Sequence, residues 1–132
     1  MSRKLVSIGE RDALILHDAL IARFGGREGL RDEALLQSAL VRAPQRLAYG
    51  KNIDVIDMAA VYAAGLVGNH PFVDGNKRTG FLVGILFLEL NGYRVTASEE
   101  EAAQAVLGLA SGALDEFGYA AFLRAHARKT RP

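Results

Sequence analysis

The sequence predicts an all-α fold, a compact bundle of about six helices with two of them central. Three observations predict it. Capping residues recur along the chain, each followed by an apolar run of helical period. Two charge-free runs, 58–70 and 79–88, are apolar almost all round and too short and interrupted to span a bilayer, so they read as helices buried inside the protein. The only β-like run, "GYRVTA", is six residues long and reads as an extended connector.

The elements follow in order. Ser7 with Glu10 forms a capping-box pattern, and Ala13, Leu16, Leu20 and Phe24 then share one helical face until Gly25-Gly26 stops it. Asp32 is placed to cap a second helix with a stripe of Leu35, Leu36, Ala39 and Leu40, and Pro44 is expected to bound its end. The stretch "PQRLAYGKNI", 44–53, has no clear period and is expected to be a surface loop. Asp54 or Asp57 starts a third helix, "MAAVYAAGLVG", which breaks at "NHPFVDG" because Pro71 disfavours a helical His70. A fourth helix runs from about Asn76 to Leu90 and stops at Asn91-Gly92. Ser98 with Glu101 opens a fifth, to about Leu109, and Asp115 caps a sixth that carries Phe117, Ala121 and Leu123. No repeat, low-complexity segment or second domain is visible, so residues 1–132 are expected to form one domain.

The composition narrows the function classes. The 132 residues are 50% hydrophobic and 23% charged, ordinary for a soluble globular chain, and large enough to bury one core. A formal net charge of +1 calls for neither nucleic acid nor an anionic membrane. The basic residues Arg124, Arg128, Lys129 and Arg131 read as a short solvated tail. There is no cysteine, which excludes disulfides, thiolate metal sites and a cysteine nucleophile and is in keeping with a reducing cytoplasm. The N-terminal "MSRKLVSIGERD" lacks the apolar core of a signal peptide. The expectation is a cytoplasmic protein.

The chemistry is concentrated in "HPFVDGNKRTG", residues 70–80. Asn76, Lys77 and Arg78 stand at the N-terminus of an apolar helix, where unpaired N–H groups and a positive dipole end attract anions, phosphate above all. Gly75 lets a ligand approach the backbone, Lys77 adds a point charge, and Arg78 offers a bidentate fork. Asp74 beside those cations suits Mg²⁺, which takes one or two carboxylates plus the phosphates themselves. His70 suits removal of a proton from an attacking hydroxyl. Each residue also has a plainer reading: Asn76 or Asp74 as a helix cap, Lys77 and Arg78 as solvated charges, His70 as a loop histidine. Their joint occurrence between two buried helices favours transfer of a nucleotide-derived group.

The same eleven residues resemble the signature of the Fic/Doc superfamily: His-Pro-Phe, an acidic residue, Gly-Asn, a variable position, then Arg. The variable position is usually Gly in Fic adenylyl transferases. Here it is Lys77, as in the Doc (death on curing) toxins, where Asn-Lys-Arg-Thr follows the acidic residue. "LHDALIARFGGREGLRDEALLQSAL" and "FLELNGYRVTAS" are similar to Doc sequences as well, so the resemblance covers nearly the whole chain.

The resemblance implies His70 as general base and Asp74 as Mg²⁺ ligand. It implies Gly75, Asn76, Lys77 and Arg78 as the anion hole for ATP phosphates, with Phe72 anchoring the loop in the core. Fic adenylyl transferases usually carry a second Arg three positions after the first; that position is Phe81 here. Doc toxins also lack it and act as kinases, transferring the γ-phosphate of ATP to a threonine of elongation factor Tu and blocking translation. The Ser/Thr-x-x-x-Glu helix of self-inhibited Fic proteins has no match, since Ser7 leads to Arg11 and Ser98 to Ala102. Restraint is therefore expected from a Phd-like antitoxin.

His17-Asp18 sits on the first helix, where a structural hydrogen bond is the first reading and a catalytic role the alternative. Tyr49 and Lys51 lie where the superfamily's target-docking flap would fall, and surface filler or target contact are both open there. His126 is expected to be exposed. Two alternatives stand beside the toxin kinase: a Fic-type nucleotidyl transferase, and an inactive module that only binds its antitoxin.

Overall fold

In a computed structural model that describes residues 5–50 and 52–130, the chain forms six helices and two short strands. They are α1 (Glu10–Phe24), α2 (Glu33–Tyr49), α3 (Val55–Asn69), α4 (Asn76–Leu90), β1 (Tyr93–Val95), α5 (Glu99–Ser111), α6 (Glu116–His126) and β2 (Ala127–Lys129). The all-α expectation holds, with a small antiparallel sheet added to it.

Helix α3 is the centre, touching α2, α4, α5 and α6. Its residues Ile56, Met58 to Ala63 and Gly65 to Val67 are all buried, as its all-round apolar sequence requires. Small residues set how closely its neighbours approach. A Cβ on Gly80 of α4 would lie 2.8 Å from Val67 Cγ2 and 3.1 Å from Ala63 O, and one on Gly84 would lie 3.3 Å from Ala59 O. Gly65 meets Ala39 of α2 in the same way, at 3.2 Å. This close α3–α4 seam brings the C-terminus of one buried helix beside the N-terminus of the next. Residues 70–75 make the connection.

Local caps form where the sequence places them. Asp32 accepts from the Leu35 N–H at 3.0 Å. Asp54 and Asp57 both act at the start of α3, each accepting from the other's N–H. Ser98 and Glu101 do the same for α5, and Asp115 accepts from the Gly118 N–H of α6.

Helix α1 departs from its expected start. Gly9, not Ser7, is its N-cap, and the Asp12 carboxylate accepts from the Gly9 N–H at 2.9 Å. The preceding residues are held extended by tertiary partners. Tyr62 Oη accepts from the Ile8 N–H at 3.1 Å, and the Asn91 amide pairs with both N–H and C=O of Val6. Glu10 instead accepts from Gln37 of α2. Facing also differs: His17 and Ile21 are buried with Ala13 and Leu20, Leu16 is half-buried, and Phe24 is exposed.

Pro44 does not end α2, and residues 44–49 are helix rather than loop. Proline removes one hydrogen bond. Beyond it, Arg46 ties this end of α2 across the bundle with a two-pronged bond to Glu116 of α6, at 2.8 and 2.7 Å, joined by Arg42 at 3.4 Å. Tyr49 thus lies at an exposed helix end; Lys51 lies outside the described residues.

The "GYRVTA" run is β1, and the supposed basic tail is its partner. Tyr93 pairs with Lys129, Arg94 with Arg128 and Val95 with Ala127. The Arg128 and Lys129 side chains remain solvent-exposed, whereas Arg124 binds Asp54 and Asp57 at 2.7 and 2.9 Å; Arg131 lies outside the described residues. On α6 the buried face is Tyr119, Ala120 and Leu123, leaving Phe117 and Ala121 exposed. His126 is half-buried and bonded to Phe122 O and to Glu101. No described helix is long and apolar enough to cross a membrane.

Candidate active site

Pro71 disfavours the right-handed helical conformation for His70. His70 instead takes φ 52°, ψ 54°, a left-handed turn that ends α3 and leaves its ring exposed. Two residues on, Phe72 is buried and stacks face to face on the buried His17 ring, centroids 3.8 Å apart. Phe72 is therefore the anchor that the sequence suggests, and His17 is what it rests on. His17 Nε2 lies 2.7 Å from Asp74 O. A carbonyl can only accept, so the proton is on Nε2; the bond runs to this loop and not to Asp18, whose exposed carboxylate lies 3.9 Å from His17 Nδ1.

Asp74 and Asn76 do not cap α4. The Asp74 carboxylate is exposed and accepts from two backbone N–H groups, Arg27 at 3.0 Å and its neighbour Gly75 at 2.9 Å. These bonds, the Arg27 one first, hold it below the usual carboxylate range. It is ionised at neutral pH, with lone pairs left on both oxygens.

Asn76 turns inward and is buried. Its Oδ1 accepts from the Phe72 N–H and its Nδ2 donates to Phe72 O, both at 2.9 Å. The second Nδ2 hydrogen then faces His70 Nδ1 at 3.3 Å. This part of the expected anion hole is thus its backbone N–H, while its side chain shapes the loop.

Helix α4 starts at Gly75, in a left-handed conformation (φ 79°), with no side chain capping it. Among the described residues the N–H groups of Asn76, Lys77 and Arg78 therefore have neither an intrahelical nor a side-chain partner. Gly75 differs from the other three, because its N–H already donates to Asp74. Lys77 and Arg78 are exposed, and the Arg78 guanidinium lies 4.3 Å from the centre of the Phe24 ring. The structure thus gathers an exposed imidazole, an ionised carboxylate, an uncapped helix N-terminus and two cations on one loop.

The α1–α2 connection packs along this loop. Gly29 O accepts from the Val73 N–H at 3.0 Å, and Pro71 O accepts from the N–H groups of Arg31 and Asp32 at 2.7 and 3.0 Å. Sequence reasoning read Gly26 only as a helix stop and gave Arg27 and Arg31 no part in the site, because nothing in their local spacing reports a contact with a loop some forty residues on. Among the described residues no group of three or more His, Asp or Glu side chains could hold a metal, so Asp74 would serve as a lone protein carboxylate. A cleft of about 430 Å³ lined by Arg46, Asp57, Glu116 and Phe117 contains none of residues 70–80.

Comparison with known proteins agrees with this arrangement. Residues 7–88 match the Fic/DOC family. The chain is 34% identical over 117 residues to the protein kinase doc of Escherichia phage P1, covering 89% of this chain and 92% of that one. It is 41% identical over 76 residues to the toxin Doc of Mycolicibacterium smegmatis, covering 56% and 58% of the two chains. With that match over more than half its length, and with the signature loop folded between its two central helices, the chain belongs to the Fic/DOC family.

Proposed function

We propose that this chain is a Doc-type toxin kinase that transfers the γ-phosphate of ATP to a protein hydroxyl, a threonine of elongation factor Tu being the target the family resemblance implies. The observation that carries this reading is the uncapped, doubly cationic start of α4, flanked by Asp74 and His70. Two relatives support it, one a protein kinase and one a toxin by name.

The roles follow from the chemistry. The N–H groups of Asn76, Lys77 and Arg78 take phosphate oxygens, with Lys77 and Arg78 offsetting the charge that spreads over the phosphoryl group in transfer. The donor set fits Mg²⁺, which needs one or two carboxylates and draws its other ligands from phosphates and water. Asp74, ionised and exposed, would hold it, and the ion when bound neutralises phosphate charge.

His70 takes the hydroxyl proton. Its Nδ1 faces the Asn76 side-chain Nδ2–H, so the neutral ring carries its proton on Nε2 and its basic lone pair is on Nδ1. The contact is long at 3.3 Å and the ring exposed, so a substrate hydroxyl can replace Asn76 there. The new bond joins the hydroxyl oxygen to the γ-phosphorus, the bond from that phosphorus to the bridging oxygen breaks, and ADP leaves. Restraint falls to a Phd-like antitoxin in trans.

Lys77 separates this from nucleotidyl transfer. Its side chain stands beside the path that a glycine would leave open for an α-phosphate, and Phe81 replaces an arginine that would hold the far phosphate. Labelled ATP tests it. Label from the γ-position is expected on the target with ADP released, and Lys77→Ala should cut this roughly 10- to 100-fold by removing a charge-assisted phosphate contact. Label from the α-position with pyrophosphate released would establish nucleotidyl transfer instead. No label from either position, with antitoxin still bound, would mark an inactive binding module.

A further inference from the structure

The end of α3 presents a problem that its own sequence does not solve. The last carbonyls of a helix have no intrahelical partner, and they sit at the negative end of its dipole. No basic residue stands in the last turn of α3. Arg31, 38 and 39 positions earlier in the chain, supplies what is missing: its Nε donates to His70 O at 2.7 Å and its Nη2 to Asn69 O at 3.1 Å. One planar guanidinium thus spans two consecutive carbonyls.

That fork acts on the His70 backbone. A left-handed conformation is unfavourable for a residue with a Cβ, and Pro71 leaves extended backbone as the main alternative. A carbonyl's direction changes with ψ. Holding Asn69 O and His70 O together therefore selects ψ 54° over an extended value. It also sets where the imidazole stands relative to Asn76. The backbone N–H of Arg31 adds a bond to Pro71 O at 2.7 Å, so the same residue grips three successive peptide groups.

We infer that Arg31 is a positioning residue for His70, acting through the backbone at the α3 terminus. The inference rests on the reading of His70 as the proton acceptor. Arg31 is itself exposed, so its removal opens no cavity, and an arginine serving only as surface charge would leave His70 where it is. Lysine cannot substitute, because a single ammonium on a flexible stem does not fix two carbonyls in a plane.

The test compares the full-length parent with Arg31→Ala and Arg31→Lys. The readouts are His70 ring resonances by NMR and kcat and KM for γ-phosphate transfer. In both variants the His70 ring resonances are expected to move and kcat to fall, in Arg31→Ala by roughly 10²-fold, the scale of a misplaced reacting group, with KM for ATP little changed. Guanidinium ion, well below unfolding concentrations, should restore part of the loss in Arg31→Ala. Arg31→Lys retains one donor at the helix end and decides the matter if the alanine variant does not fold. Parental His70 resonances in the folded variants, or full activity in Arg31→Lys, would overturn the inference. If the parent transfers neither the γ- nor the α-phosphate label, the proton-acceptor reading of His70 fails, while its resonances still decide whether Arg31 positions it.

Discussion

The Asn76 side chain holds both backbone groups of Phe72 at 2.9 Å and turns its remaining amide hydrogen toward His70 Nδ1 at 3.3 Å. One buried amide therefore ties the anchor of the loop to its most reactive side chain. The two ends of this contact have different consequences when removed.

His70→Ala removes an exposed ring and should leave the melting temperature close to the parent's, while activity falls roughly 10²- to 10⁴-fold, the usual contribution of a general base. Asn76→Ala strips partners from two backbone groups at Phe72, a cost of about 1–3 kcal/mol for each group left buried and unpaired. It should lower both stability and activity. Thermal unfolding alongside a phosphotransfer assay separates the two; a folded His70→Ala protein with parental activity would remove His70 from the mechanism.

Gly26 and Gly25 provide a matched pair for Asp74. Both have positive φ, 120° and 85°, so alanine strains the backbone at either. A Cβ on Gly26 would lie 2.9 Å from Asp74 Oδ2, whereas one on Gly25 meets nothing within 4 Å. Both substitutions are expected to lower stability modestly. Gly26→Ala alone should displace the carboxylate and raise the Mg²⁺ concentration needed for half-maximal activity. Equal Mg²⁺ dependence in the two variants would show that Asp74 does not set it.

The α5–α6 corner should make stability depend on pH. The Phe122 carbonyl and then Glu101 raise the His126 pKa above its ordinary value of 6.5. A raised value means that the folded state binds the proton more tightly than the unfolded chain does. The stabilisation is thus complete below 6.5 on the histidine side and is lost as pH rises through the folded value. Glu101 works in the opposite sense. Its pKa is lowered, chiefly by the Ser98 N–H and then by His126, so its contribution is present above 4.5 and fades as pH falls through the lowered value. The melting-temperature difference between parent and His126→Gln should therefore be largest in mildly acid buffer and shrink above neutrality. A difference that does not vary with pH would show that the ion pair contributes nothing.

Much of the fold was legible because its signals are short-range. Asp32, Asp54, Ser98 and Asp115 bond N–H groups three residues on, so the caps could be read without knowing what else was near. The bounds of α4 followed from Gly75 before it and Asn91-Gly92 after it. The loop also announced itself: Pro71 marked the end of α3, and so many polar groups between two buried helices marked a candidate site.

What only the tertiary structure decided involves partners far apart in the chain. The helical pattern of residues 7–10 lost to the bond that the Ile8 N–H gives Tyr62 and to the Asn91 bonds with Val6 just before it, and α2 runs on through Pro44 to where Arg46 bonds Glu116 of α6. Residues 93–95 and 127–129 are strands only because each satisfies the other's backbone groups, and neither carries a signal strong enough alone. At the candidate site, the sequence singled out His70, Asp74 and Asn76 as candidates but not the residues that hold them. Asn76 could have pointed at a ligand; it turned inward because the buried N–H and C=O of Phe72 needed partners. Asp74 is held by Arg27 N–H, and the His70 carbonyl by Arg31, across 47 and 39 positions. A residue's own type and immediate neighbours determine what chemistry it can do, and the sequence carries both. Where it points depends on which distant donor or acceptor would otherwise go unpaired, and folding alone settles that.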